Sequence, residues 1–366
     1  MLDGQISLLK RGVENPEYIP RFLYGKLLAP YTELYRRHHN IPKQKPRILD
    51  FTSQNEFVIV ILDACRYDYF EEEYQLFFDG NLEMAWASAS WTGDYVENIW
   101  TEEHDLSYIT AAPHISDFSA KNRGRQYRPS EHLREIIPVW DTDWSPTLGV
   151  APASAVTEKA LWRAQTQDNT RLVVHYMQPH SPFIGDRQIL PWGLDKSMSE
   201  RINPKEAIQS TGEFNGTQEQ LPDEIGLEEI QEYNLGAKEL ESMGMTLPSE
   251  TIKSRVESGD ISVKELQAAY RDNLRYVLAE VKRLVNRVEC PVVVTADHGE
   301  CLGENGRFFH PDIPIPTLRK VPWFRVSDDE IGIIPVQDGD VSEYESEEAP
   351  DEQEIKSRLR QLGYVD

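Results

Sequence analysis

Val292-Val293-Val294-Thr295-Ala296-Asp297-His298-Gly299-Glu300 is the stretch around which the chain is organised. A short β-branched apolar run reads as a buried parallel strand, and it stops abruptly at an Asp-His pair, a Gly and a Glu. In open α/β sheets the carboxyl ends of strands line the crevice that binds ligands, so a carboxylate beside an imidazole there is a divalent-metal half-site. The same design occurs far upstream in Phe57-Val58-Ile59-Val60-Ile61-Leu62-Asp63-Ala64-Cys65-Arg66-Tyr67-Asp68. If the two strands are neighbours in one parallel sheet, Asp63, Asp297 and His298 converge at one edge, three of the ligands that a metal site needs. Taken alone, Asp63 is equally readable as a helix N-cap.

The 366 residues, 39% of them hydrophobic and 8 of them Trp, suffice for one large α/β domain with an appendage. Acidic residues number 62 against 38 basic ones, a formal charge of -24. That excess argues against a binder of nucleic-acid phosphates, and its spread along the chain suggests a surface adapted to high salt, as in a halophilic cytoplasm. Cys65, Cys290 and Cys301 lack the paired spacing of a disulfide framework or zinc knuckle, and they read as small buried apolar side chains. No apolar run approaches the roughly 20 residues that span a bilayer, and the first residues lack a signal-peptide core. These features lead to the expectation of a soluble cytoplasmic protein without stable membrane insertion; they leave oligomeric state open.

Along the chain, residues 1–50 mix aromatics, prolines and bases, and are expected to form short helices that pack on the core. The catalytic domain is expected over 51–330. Ser107-Tyr108-Ile109-Thr110-Ala111 and Arg171-Leu172-Val173-Val174-His175-Tyr176-Met177 read as further strands, the second running into Gln178-Pro179-His180-Ser181-Pro182-Phe183. The prolines flanking His180 stiffen that loop and aim it at the same sheet edge. Ahead of both strands, Ser88-Ala89-Ser90-Trp91-Thr92-Gly93 leads into an amphipathic segment. A hydroxyl at such a helix start is either a cap or a nucleophile favoured by the helix N-terminus and a nearby cation, and spacing alone puts the cap ahead. Residues 185–262 are polar and read as an inserted helical cap or lid. Val263 to Val288 has helical periodicity, and 331–366 is an acidic tail with a short helix at its end.

The block Thr295-Ala296-Asp297-His298-Gly299-Glu300-Cys301-Leu302-Gly303-Glu304, with Asp63 to Asp68, His175 to Pro182, His310 and Arg319-Lys320-Val321-Pro322-Trp323, resembles the sulfatase-like branch of the alkaline phosphatase superfamily. With the acidic composition, the resemblance is to its haloarchaeal type. It implies a three-layer α/β/α sandwich with a mostly parallel central sheet. It also implies one divalent metal ion (Mn, Mg, Ca or Zn) held by Asp63, Thr92, Asp297 and His298. Thr92 takes the place of the nucleophile, with Ser90 in reserve; His180 looks like a substrate-binding histidine. His310 looks like a second, contacting the transferred group or a second metal, whose ligands would otherwise have to include His175 or His180.

Formylglycine sulfatases carry Pro and then Arg two and four places after their Cys or Ser; those places hold Asp94 and Val96 here, and Thr cannot become formylglycine. The expectation is therefore a metal-dependent hydrolase or transferase acting on phosphate or sulfate esters through a covalent Thr intermediate, with the phosphodiesterases and phosphoethanolamine transferases as models. Its substrate is a small-molecule, glycan or lipid ester. The alternative is a binding or scaffold protein that keeps the fold without turnover.

Overall fold

The computed structural model describes residues 30–122, 124–145, 148–190, 248–311, 313 and 315–334. Residues 1–29, the 191–247 part of the expected insertion and the acidic tail from 335 lie outside the described residues. In chain order the strands are β1 (Phe57–Leu62), β2 (Gly80–Trp86), β3 (His104–Thr110), β4 (Leu133–Pro138), β5 (Arg171–Tyr176), β6 (Val292–Thr295), β7 (Cys301–Leu302), β8 (Phe308–Phe309) and β9 (Lys320–Val326). The helices used below are α1 (Gln44–Phe51), α2 (Tyr67–Glu73), α3 (Thr92–Ile99), α4 (Ala153–Thr166), α5 (Pro248–Ser258) and α6 (Val263–Val285).

All six side chains of β1 are buried, so both faces of this strand are covered, as its unbroken apolar run requires. Each contributes about 1.5–3 kcal/mol by leaving water, a reserve against which a costly polar site can be held. The sheet has seven strands in the order β2-β9-β6-β1-β5-β3-β4. β1 runs parallel to both β5 and β6, with Ile61 level with His175 on one side and Thr295 on the other. β9 alone is antiparallel to its neighbours, β6 and β2. The sheet is therefore mostly parallel, and the two strands that end in Asp63 and Asp297 are adjacent.

Adjacent residues of a strand point to opposite faces, which locates the helical layers. Phe51 of α1 meets Trp323 edge-on at 6.3 Å, while Phe70 of α2 and Tyr74 meet Phe324 at 5.7 and 5.0 Å. Helices thus cover both faces of one mixed α/β sheet. Helix α6 begins at a capping box, Ser262 with Glu265, and buries Leu266, Ala269, Tyr270, Leu274, Val277, Val281 and Leu284 along one stripe. Strands β2, β4 and β9 were not anticipated. Exposed Glu83, the Arg134-Glu135 pair and Pro322 interrupt their apolar patterns, and only pairing partners distant in sequence make them strands.

Candidate active site

Two parallel strand ends build the site. Asp63 follows β1 and donates its backbone N–H to Tyr176 O of β5, which extends the ladder by one residue. The next residue, Ala64, has φ +58°, a left-handed conformation that costs a non-glycine about 1–2 kcal/mol. This bend aims the Ala64 N–H at Asp297 Oδ1 (3.0 Å), which also accepts from the backbone of His298 (2.9 Å). Tyr270 of α6 fixes the same turn from outside, its hydroxyl donating to Ala64 O at 2.7 Å and accepting from Arg66 N at 3.0 Å. Asp63 caps no helix, because α2 starts only at Tyr67 with Arg66 as its N-cap.

Thr92 is the first residue of α3, and the N-cap is Trp91, which makes no side-chain cap bond. Freed from capping, the Thr92 hydroxyl lies 3.3 Å from Asp63 Oδ2 and 3.5 Å from His298 Nε2. His298 Nε2 in turn is 3.4 Å from Asp297 Oδ2 and 3.7 Å from Asp63 Oδ1. Asp63, Thr92, Asp297 and His298 are thereby brought together and are all buried. Among the described residues no hydrogen bond or ion pair joins Ser90 to this group. Burial, then the charges of Asp297 and Glu300, push the Asp63 carboxyl well above the usual carboxylate range. Burial also pushes the His298 imidazole down to about 3, so at neutral pH it is uncharged and offers a lone pair.

Asp63 Oδ1 and Asp297 Oδ2 lack a hydrogen-bond partner among the described residues. Two buried carboxylates facing each other without a cation are costly, and a divalent ion among two carboxylates, a neutral imidazole and a hydroxyl is the group that fits them. A second group adjoins the first: His180, Glu300 and His310 present atoms within 4.8 Å of one another. His310 Nδ1 is 3.4 Å from Glu300 Oε1, and the His310 ring lies 5.0 and 5.2 Å from those of His298 and His180. Burial lowers the His180 imidazole pKa, a shift that the Glu300 charge opposes.

Several supporting residues carried no isolated signal in the sequence. Asn273, fully buried on the apolar stripe of α6, accepts from Ile184 N (3.0 Å) and donates to Pro179 O (3.2 Å) and His180 O (3.1 Å), locking the His180 loop onto the helix. An Asn interrupting such a stripe was the available clue. Asn273→Leu is expected to leave those groups unpaired and lower stability by about 1–3 kcal/mol, read by denaturant unfolding. Gly299 sits where an added Cβ would come 2.3 Å from Thr317 O, so the Gly of the Asp-His-Gly-Glu run is set by close backbone approach. Gly299→Ala is expected to cost about 1–3 kcal/mol, with a matching fall in thermal midpoint.

No protein-family model and no curated protein matches the sequence. Among solved structures, the soluble domain of lipooligosaccharide phosphoethanolamine transferase A from Neisseria meningitidis is similar at 13% identity and a TM-score of 0.41, over 73% of this chain and 75% of that one. The periplasmic domain of EptC from Escherichia coli, in complex with zinc, is similar at 11% and 0.36, over 75% and 73%. The phosphonate monoester hydrolase of Agrobacterium radiobacter is similar at 12% and 0.36, over 74% and 68%. The expected cytoplasmic location is corrected here: the EptC structures from Escherichia coli and from Campylobacter jejuni are periplasmic domains, and the expectation is dropped. Among the described residues no helix is long and apolar enough to cross a membrane. The similar solved structures thus include a phosphoethanolamine transferase and a phosphonate monoester hydrolase.

Proposed function

We propose that the chain is a metal-dependent enzyme that transfers or hydrolyses a phosphoryl-type group through a covalent ester on Thr92. The observation that carries this reading is the Thr92 hydroxyl: it caps no helix and stands 3.3 Å from Asp63 and 3.5 Å from His298 in a buried acidic group. Asp63, Thr92, Asp297 and His298 would hold one divalent ion. When bound, the ion supplies a lowered hydroxyl pKa and offsets charge on the transferred group's oxygens. The Thr92 Oγ1 forms the new bond to phosphorus as the bond to the leaving alkoxide breaks, and its proton passes towards Asp63 Oδ2, the acceptor it faces. His180 or His310 would bind the oxygens of the group in transit or pass a proton to the leaving alkoxide. Water or an acceptor hydroxyl then breaks the ester and restores Thr92. The substrate would be a lipid, glycan or other small ester.

Phosphorus is favoured over sulfur because Thr cannot become formylglycine. The purified chain, in high salt with Mn, Mg, Ca or Zn in turn, is tested on aryl phosphate monoester, phosphate diester and sulfate. Metal-requiring diester turnover is the expected result; turnover of the sulfate alone would refute the choice of phosphorus, metal binding with no turnover of these esters would point to a transferase that needs its own substrate, and no turnover with no metal bound would favour a scaffold.

A further inference from the structure

We infer that His175 is an additional ligand of the metal held by Asp63, Asp297 and His298, and that Tyr108 positions it. The inference rests on the metal reading proposed above. His175 stands opposite Ile61 in the β1–β5 ladder, and Asp63 lies two residues beyond Ile61, so both side chains project from one face of the sheet. His175 Nε2 lies 3.5 Å from Asp63 Oδ2 and 4.0 Å from Asp297 Oδ2. Those separations exceed a hydrogen bond, and although the residue is 0% exposed, Nε2 has no hydrogen-bond partner among the described residues. Donor atoms sharing an ion at about 2.0–2.2 Å stand roughly 3–4 Å apart. His298 Nε2 meets the same two carboxylates from its own side, at 3.7 Å from Asp63 Oδ1 and 3.4 Å from Asp297 Oδ2.

The other ring nitrogen explains how the lone pair is aimed. His175 Nδ1 is 3.0 Å from the Tyr108 hydroxyl, itself buried on β3. With Nδ1–H donated to that oxygen, Nε2 is left unprotonated and directed at the carboxylates, the usual partnership of a metal-bound imidazole with an outer acceptor. A set of two imidazoles, two carboxylates and a hydroxyl favours zinc or manganese over calcium or magnesium.

The test uses cadmium-113 as the probe metal and the unmutated chain carrying nitrogen-15 histidine. The His175 resonance is identified by its loss in His175→Gln. A cadmium–nitrogen coupling at His175 Nε2 is expected, together with zinc affinity at least about 10-fold weaker in His175→Gln and about 10-fold weaker in Tyr108→Phe, measured by chelator competition. The coupling itself is read on unmutated protein, and His175→Gln serves only to assign its resonance, which needs that variant to keep the other histidine resonances in place. Bound cadmium without coupling at His175 would overturn this inference and leave the metal reading standing. No bound metal at all would overturn both.

Discussion

Thr92→Ala is expected to abolish turnover, by on the order of 10^4-fold or more, while the chain stays folded and keeps its metal. The size follows from the absence of an alternative nucleophile: among the described residues Thr92 supplies the one hydroxyl bonded within the acidic group. The stability cost is small, about 1 kcal/mol, since only the hydroxyl's contacts to Asp63 Oδ2 at 3.3 Å and His298 Nε2 at 3.5 Å are removed. Thr92→Ser keeps the hydroxyl and is expected to restore measurable activity. Activity retained in Thr92→Ala would move the nucleophile to Ser90 or end the covalent scheme.

Asp63→Asn is expected to move stability in opposite directions with and without metal. In the metal-free chain the buried Asp63 carboxyl is held well above its ordinary range by burial and by Asp297 and Glu300. A folded-state pKa raised above the unfolded one means that the ionised side chain costs stability at neutral pH. Removing its charge with a side chain of the same shape should therefore raise the metal-free thermal midpoint, by about 2–4 °C for each kcal/mol recovered. With zinc or manganese the order should reverse. The unmutated chain gains about 2.7 kcal/mol at a metal concentration 100 times its Kd, and the variant, lacking one carboxylate ligand, gains little. Differential scanning in chelator and in metal reads both signs; a metal-free midpoint that falls would mean that Asp63 stabilises the fold instead of serving a site.

The parts of this architecture that were legible in the sequence are those whose local signals point one way. The apolar runs of β1 and β6 and the stripe of α6 have a single reading, and the acids at the two strand ends implied a shared edge before the pairing was known. The antiparallel β9 was hidden by Pro322 and two bases, because its strand character comes from β2 and β6 on either side. Cap and nucleophile are indistinguishable for Thr92 in sequence, since both put a hydroxyl at a helix start; the backbone of Trp91 separates them. His175 was masked within an apolar strand, and its proximity to the carboxylates depends on the β1–β5 register, which spacing along the chain does not encode. Glu300 was visible in its motif, but its place between His180 and His310 requires loops more than 100 residues apart to meet.

The most direct measurement of the central claim is to quench the metal-loaded chain with acid during turnover of an aryl phosphate diester and to map the covalent adduct by peptide mass spectrometry. A phosphoester on Thr92, present only with metal and substrate, is the predicted result. Steady turnover with no adduct on Thr92, or with the adduct on another residue, would contradict it.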